Sequence, residues 1–556
     1  MDEKNYCEES KEHKTNNGKS IDHPFIVKAE DIKEREFLGI GYEIFWHMKK
    51  HKNNVAQFGW KNAIEETYAS LLQKSIRTAL RLKSKNLGED PIIAICASNH
   101  TDSVIPLIAS FFLGYRVVSL DCTLSVTDTL HLIQQVPPVI MFIDEQAVPT
   151  METAMARSEK YFELVVFGTS DNHSVMSEYL MRMDGNEEET FEPVKVSNKK
   201  TAIILFSSGT TGLPKGICIP HGGLLYQTYN ICHSYNLSQS SLLLYFTPLY
   251  WISSVILIMS CIFSGSSRVV CTINEAWTAI DKYKITTIFL SPYLASLLIS
   301  EEKDNSISVD SVRSIRTAGT KLNEIMRKRL TALFPKAVIS QSYGQTELSG
   351  GGMIFNHDNE NDYLLLKRKP ESCGKPLPGF CIKIVDRDTG KIVGPNTVGE
   401  LCLNNNHSIF MNGYFNKDSS GEYDSEGWLK TGDMSYYDED KCFYIVGRYK
   451  EMLKYRGFHI QPQMVERILE THPAVKEGVV VGIEHEIDGD HLMGIVTLHP
   501  DHIDISVKDL EIFVEAQVQE RQRLRAGVKI VTEIPWTSTG KPKRKVLKEM
   551  VEKGQL

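Results

Sequence analysis

TAIILFSSGTTGLPKG, residues 201–216, joins an apolar run, Thr201–Phe206, to a loop carrying the hydroxyls of Ser207, Ser208, Thr210 and Thr211, the glycines Gly209, Gly212 and Gly216, and Lys215. The run reads as a buried strand, and the loop as a string of donors able to wrap phosphate oxygens. It is not a Walker A loop, in which Lys follows Gly and precedes Ser or Thr; Lys215 follows Pro214 and precedes Gly216. A Gly/Ser loop alone is more often only a turn, but the full string Phe206–Gly216 is far more specific.

Working outward, IIAIC (92–96), VVSL (117–120) and VIMFI (139–143) precede this strand, and LLLYF (242–246), TTIFL (286–290), SIR (314–316) and AVIS (337–340) follow it, with helical runs between them. Such alternation predicts crossover units and parallel sheets, whose ligands sit at the carboxyl ends of the strands. Beyond about Cys373 the runs shorten to KIVD, GELCLN and FYIVG, which suggests a β-rich subdomain over 373–446. After Gly447 come a helix around Pro462–Thr471, strands GVVVGI and GIVTL, a helix over Val507–Gln522 and a basic end. The expected class is α/β: a polar, flexible tail over 1–34, a large N-terminal domain of doubly wound sheets over 35–446, and a small mobile α+β domain over 447–556.

The chain has 556 residues, too many for one core, and its 42% hydrophobic and 24% charged residues are ordinary for a globular protein. A net charge of −8 argues against a nucleic-acid partner. Eleven cysteines without a C-x-x-C pair argue against a disulfide framework or zinc ribbon, and for a reducing compartment. The uncharged segment Ile252–Phe263 would reach only about 18 Å as a helix, short of the roughly 30 Å of a bilayer core, so a buried helix is expected and no transmembrane segment. The acidic run Glu187–Glu189 reads as a solvated loop.

Three further strings carry chemistry. SYGQTE (342–347) offers a flat ring in Tyr343, a hydroxyl in Thr346, and in Glu347 a hard carboxylate suited to magnesium shared with phosphates. KTGD (430–433) ends on Asp433, an acceptor-only group when ionised. TSTGKPKR (537–544) presents Lys541 behind Gly540; Lys543, Arg544 and Lys545 read as a solvated basic end.

Together these strings resemble the adenylate-forming enzymes, which include acyl-CoA synthetases, 4-coumarate:CoA ligases and beetle luciferases, from about residue 35 onward. The resemblance implies a two-step reaction: a carboxylate attacks ATP to give an acyl-adenylate and pyrophosphate, and a thiol, expected to be CoA, then displaces AMP. It implies ATP, Mg²⁺ and CoA, with a small-molecule carboxylic acid as the other substrate. The nucleotide site would comprise Ser207, Ser208, Gly209, Thr210, Thr211, Gly212, Lys215, Thr317, Ala318, Gly319, Gln341, Ser342, Tyr343, Gly344, Asp433, Ile445, Arg448 and Lys541. In this family Tyr343 would stack on adenine, Thr346 contact the α-phosphate, Glu347 hold magnesium, and Asp433 accept from the ribose hydroxyls beside Arg448. Lys541 would stabilise the adenylation step, and Lys454, in KYRG (454–457), would line the thiol path after rotation about a hinge at 447.

The sequence departs from relatives at the hinge, where Gly447 precedes Arg448; at Trp251, where many carry His; and at Gly319-Thr-Lys, where many carry Gly-Ala-Pro. Gln227 stands where luciferases carry Arg. Trp251, Gln227 and Gly319 would shape the acyl pocket. The resemblance then points to a non-luminous, luciferase-like acyl-CoA synthetase for a medium- or long-chain fatty acid. An aromatic acid ligase is the alternative, followed by a luciferin monooxygenase and by a silent acyl or nucleotide sensor. The end Gly-Gln-Leu keeps the Leu of a peroxisomal address without its basic residue, so cytosol and peroxisome both stay open. The chain is expected to be a monomer or weak oligomer.

Overall fold

The computed structural model describes residues 23–30, 37–61, 63–207, 214–405, 410–456, 458–502, 504–537 and 541–556. Two seven-stranded sheets form the body. In the first, the strand Thr201–Phe206 lies between Arg116–Leu120, parallel, and Gly216–Pro220, antiparallel, with Ile92–Cys96, Ile140–Asp144, Glu163–Phe167 and Ser174–Val175 beyond. The second runs Val338–Gln341, Ser314–Thr317, Thr287–Leu290, Leu242–Leu244, Ser267–Val270 and Val55–Gly59, all parallel, and ends on the antiparallel Ile64–Thr67. Strands this apolar need cover on both faces. Helices Val104–Phe112, His221–Ser234 and Ile252–Ser264 join residues of both sheets in the largest apolar cluster, and separate clusters cover the sheets' other faces.

Leu242–Leu244 is a short strand, and the uncharged segment after it is a 13-residue helix, Ile252–Ser264, which stops at Gly265 with φ +70°, a left-handed value that glycine adopts without strain. Among the described residues no helix is long and apolar enough to cross a membrane. The β-rich subdomain pairs Phe380–Val385, Gly399–Asn405, Leu429–Tyr437 and Phe443–Arg448 in an antiparallel sheet. In the C-terminal domain, Leu453–Tyr455, Phe458–Ile460, Val475–His485, Gly489–Leu498 and Val528–Ile530 form another sheet, covered by helix Pro462–Glu470. The two domains touch where Asn323 Nδ2 donates to Glu470 Oε2 at 3.4 Å.

The fold departs from the sequence reading in five places. Part of the segment read as a loose tail is structured: Val27–Lys28 pairs with Ile382 and Cys381 at the sheet edge, and Val27 is buried; residues 1–22 and 31–36 lie outside the described residues. Glu188, in the acidic run, accepts from Gln73 Nε2 at 2.7 Å and Arg77 Nε at 3.0 Å, so it ties its loop to the helix Tyr68–Ser84. Gly447 and Arg448 still belong to the β-rich sheet, paired with Met434 and Asp433, so the crossing to the C-terminal domain falls in the short turn Tyr449–Glu451 and Met452. The helix expected over Val507–Gln522 stops at Glu515, and Glu520–Gln522 is a separate 3₁₀ turn with its own capping box at Gln519. Arg544, read as solvated, is partly buried: its guanidinium binds Glu466 and the Val480 carbonyl, at 3.1 Å to Glu466 Oε2 and 3.2 Å to the carbonyl.

Candidate active site

The strand Thr201–Phe206 feeds a hairpin rather than a helix, and the neck of the loop is closed by two bonds: Ser207 N donates to the Lys215 carbonyl at 2.9 Å, and Lys215 N to Ser207 Oγ at 3.0 Å. Lys215 Nζ lies 4.4 Å from the centre of the Tyr414 ring and 3.9 Å from Glu422. Ser208, Gly209, Thr210, Thr211 and Gly212 lie outside the described residues.

The carboxyl ends of the second sheet carry the next group. Ser342 N donates to the Thr317 carbonyl at 2.8 Å, and Gln341 Oε1 accepts from Leu322 N at 3.0 Å. Ala318 N donates to the Leu290 carbonyl. Gly319 has φ +99°, and a Cβ placed on it would lie 3.8 Å from Trp251 Cζ3, so the glycine and the indole lie side by side. Gly344 backs onto the Gly350 carbonyl, and Thr346–Leu348 turns as one 3₁₀ unit. Ile445 packs against the main core.

At the centre is Asp433, buried at 4% exposure. Its Oδ2 accepts from Tyr343 Oη at 2.7 Å and Gln345 Nε2 at 2.5 Å, and its Oδ1 pairs with Arg448 Nε at 3.0 Å. Register explains the ion pair, since Asp433 and Arg448 are direct cross-strand partners. Asp433 and burial act in opposite senses on Arg448, and Asp433 prevails, raising the guanidinium further.

Lys541 arrives from the other domain. The bridge Trp536–Pro542 and two bonds between Thr537 and Lys541, at 2.7 and 3.0 Å, hold the turn that presents it; Ser538, Thr539 and Gly540 lie outside the described residues. Its ammonium senses Arg448, Asp433, Glu451 and Glu347. Burial, then Arg448, lower its pKa against the pull of the three carboxylates. Burial pushes the Glu347 carboxyl above the usual range, opposed by its own backbone amide, Arg448 and Lys541. A carboxylate destabilised in this way is a hard oxygen donor that suits a divalent cation.

The structure thus gathers Tyr343, Glu347, Asp433, Arg448 and Lys541, with Thr317–Gly319 and Trp251 along one side. It does not bring every expected residue to an open surface. Gln227 is fully buried and donates to the Leu348 and Gly351 carbonyls at 3.2 and 2.8 Å while accepting from Gly351 N at 3.1 Å, so it pins the strand Gly350–Ile354 from beneath. Lys454 is exposed on its strand, its amide donating to Asp490 Oδ2 at 2.8 Å; Gly457 lies outside the described residues. Sequence reasoning missed Gln345, Tyr414, Glu422 and Glu451. Gln345 lies inside SYGQTE and Glu451 three residues after Arg448, where both could have been found, whereas Tyr414 and Glu422 have no local signal.

Residues 44–415 match the family described as AMP-binding enzyme, and residues 464–541 match the AMP-binding enzyme C-terminal domain. Luciferin 4-monooxygenase of Nipponoluciola cruciata is 27% identical over 94% of this chain and 99% of its own length. The 4-coumarate–CoA ligase-like 9 of Arabidopsis thaliana is 29% identical over 88% of this chain and 85% of its own. Among solved structures, the luciferase-like enzyme from the nonluminescent mealworm Zophobas morio superposes with a TM-score of 0.72 at 35% identity, covering 77% of this chain and 99% of that one.

Proposed function

We propose, from the premise that this chain belongs to the AMP-binding enzyme family of adenylate-forming enzymes, that it is an acyl-CoA synthetase that activates a medium- or long-chain fatty acid with ATP and passes the acyl group to CoA. The observation that carries this reading is the meeting of Lys541 from the C-terminal domain with Asp433, Arg448 and Glu347 of the body. These are charges suited to a triphosphate and a carboxylate, with no side-chain nucleophile required. Catalysis then rests on positioning and on cations near the phosphate oxygens.

In this reading Asp433 orients the ribose, and the Tyr343 ring offers a face to adenine. Lys541 holds the acyl carboxylate against the α-phosphate, and Arg448 steadies Asp433. Thr346 would contact the α-phosphate, and Glu347 would hold Mg²⁺, which when bound offsets charge on the phosphate oxygens. Trp251 beside Gly319 gives the acyl end an apolar wall, which favours an apolar tail over a charged one.

A CoA-dependent AMP-release assay over a panel of carboxylic acids tests the proposal. Fatty acids are expected to lead and coumarate-like acids to follow, with D-luciferin, ATP and oxygen giving no light above a no-enzyme control. AMP release that ignores CoA, or sustained light, would replace the reading. Glu347→Gln keeps the shape but loses the anion, so the magnesium concentration needed for half-maximal turnover should rise with the thermal melt unchanged. An unaltered magnesium requirement would remove Glu347 from that role.

A further inference from the structure

The antiparallel pair Val475–His485 and Gly489–Leu498 closes with His485 opposite Gly489 and Ile483 opposite His491. The period of two then sets His485 and His491 on one face as diagonal neighbours. Their rings stack with centroids 4.0 Å apart and planes 11° from parallel. Asp488, in the turn, folds back onto them: its Oδ2 lies 2.9 Å from His491 Nε2 and 3.8 Å from His485 Nδ1. One donor atom from each residue falls within 4.8 Å of the other two. In tetrahedral zinc sites with bonds of about 2.0–2.2 Å, neighbouring donors sit roughly 3.3 Å apart, and the two measured separations bracket that value.

The carboxylate is also aimed. Its other oxygen, Oδ1, accepts from Arg456 Nε at 2.7 Å, which turns Oδ2 toward the imidazoles. Metal-ligating carboxylates are commonly oriented by such outer hydrogen bonds. His485 is 43% exposed and His491 20% exposed, so the face is open to solvent.

We propose that His485, Asp488 and His491 bind one divalent transition ion of the zinc class through two imidazole nitrogens and one carboxylate oxygen, with a fourth position open to water. Imidazole donors select zinc-class ions over magnesium, which separates this site from Glu347. On binding, the near-parallel rings splay so that both lone pairs meet the ion, and the 3.2 Å bond from Asp488 N to His485 Nδ1 is given up. Because Arg456 follows Tyr455, which pairs with Gly489, the ion would brace the hairpin turn against the strand Leu453–Tyr455.

The test is a titration of the full chain with Co²⁺, read by its visible absorption, and displacement by Zn²⁺. With 17 histidines in the chain, total uptake decides nothing, so the comparison is with His485→Ala/His491→Ala. Wild type is expected to take up one more equivalent than the double variant. His491→Ala alone should weaken that equivalent by more than about a hundredfold, beyond the roughly 10–100-fold that outer-sphere changes cost. His485→Gln, which keeps an acceptor for the Asp488 amide, is the milder variant and should show the same loss if the double variant melts early. Equal Co²⁺ uptake and spectra in wild type and variants would overturn the proposal and leave an ordinary surface ion-pair network on Arg456.

Discussion

Lys541→Ala is expected to slow acyl-adenylate formation roughly a hundredfold or more, the scale for removing one preorganised charge donor, while thioester formation from supplied acyl-adenylate changes little. The Lys541 ammonium lies among Arg448, Asp433, Glu451 and Glu347, presented by the Thr537 clasp, and alanine removes that charge without disturbing the backbone bonds of the turn. Lys454→Ala should do the reverse, because Lys454 is exposed on a separate strand and, by the family resemblance, would reach the thiol path only after rotation. Pyrophosphate release reads the first step, and CoA thioester from synthetic adenylate the second. The pH profile adds a sign. Burial, then Arg448, lower the Lys541 pKa, so its charge is present below that lowered value and is lost as pH rises through it. The first step should therefore fall on the alkaline side earlier than an ordinary lysine would dictate. Lys541→Arg, whose guanidinium stays charged there, should remove that fall. Equal loss of both steps in both alanine variants, with folding intact, would refute domain alternation in this chain.

Asp433→Asn should raise the ATP requirement of the first step by roughly a hundredfold or more, the cost of two hydrogen bonds to a charged acceptor at about 1.5–3 kcal/mol each. A carboxylate offers about four lone-pair sites; Tyr343, Gln345 and Arg448 already take three of them. Two ribose hydroxyls therefore have to displace at least one, and the Tyr343 hydroxyl is well placed to leave, because its ring would then turn a face to the base. Asparagine keeps one acceptor oxygen and sets an amide donor among three others, so it cannot serve the same partners. The decisive comparison is ATP against 2′-deoxy-ATP. Wild type should discriminate between them and Asp433→Asn should not. If the variant keeps the full discrimination, another group reads the ribose.

The parts of this protein that follow from short-range chemistry were legible before any coordinates. β-Branched runs bounded by turn residues and spaced by helical stretches lead to parallel sheets because both faces must be covered, and the strands at 92–96, 201–206, 287–290 and 314–317 lie where that pattern puts them. The strings around Lys215, Tyr343, Asp433 and Lys541 could be picked out because each packs its chemistry into a few consecutive residues.

What the sequence could not determine is whatever depends on partners far apart along the chain. That Asp433 faces Arg448 is a matter of strand register, and that Gln345 joins them depends on where a different sheet ends. Val27 forms a strand only because Ile382 offers it an edge, Arg544 leaves solvent only because Glu466 and the Val480 carbonyl await it, and Gln227 is a structural peg only because Leu348 and Gly351 turn their backbones toward it. A buried polar group is stable only beside its partners. Local sequence names the group, but only the folded chain brings the partners to it.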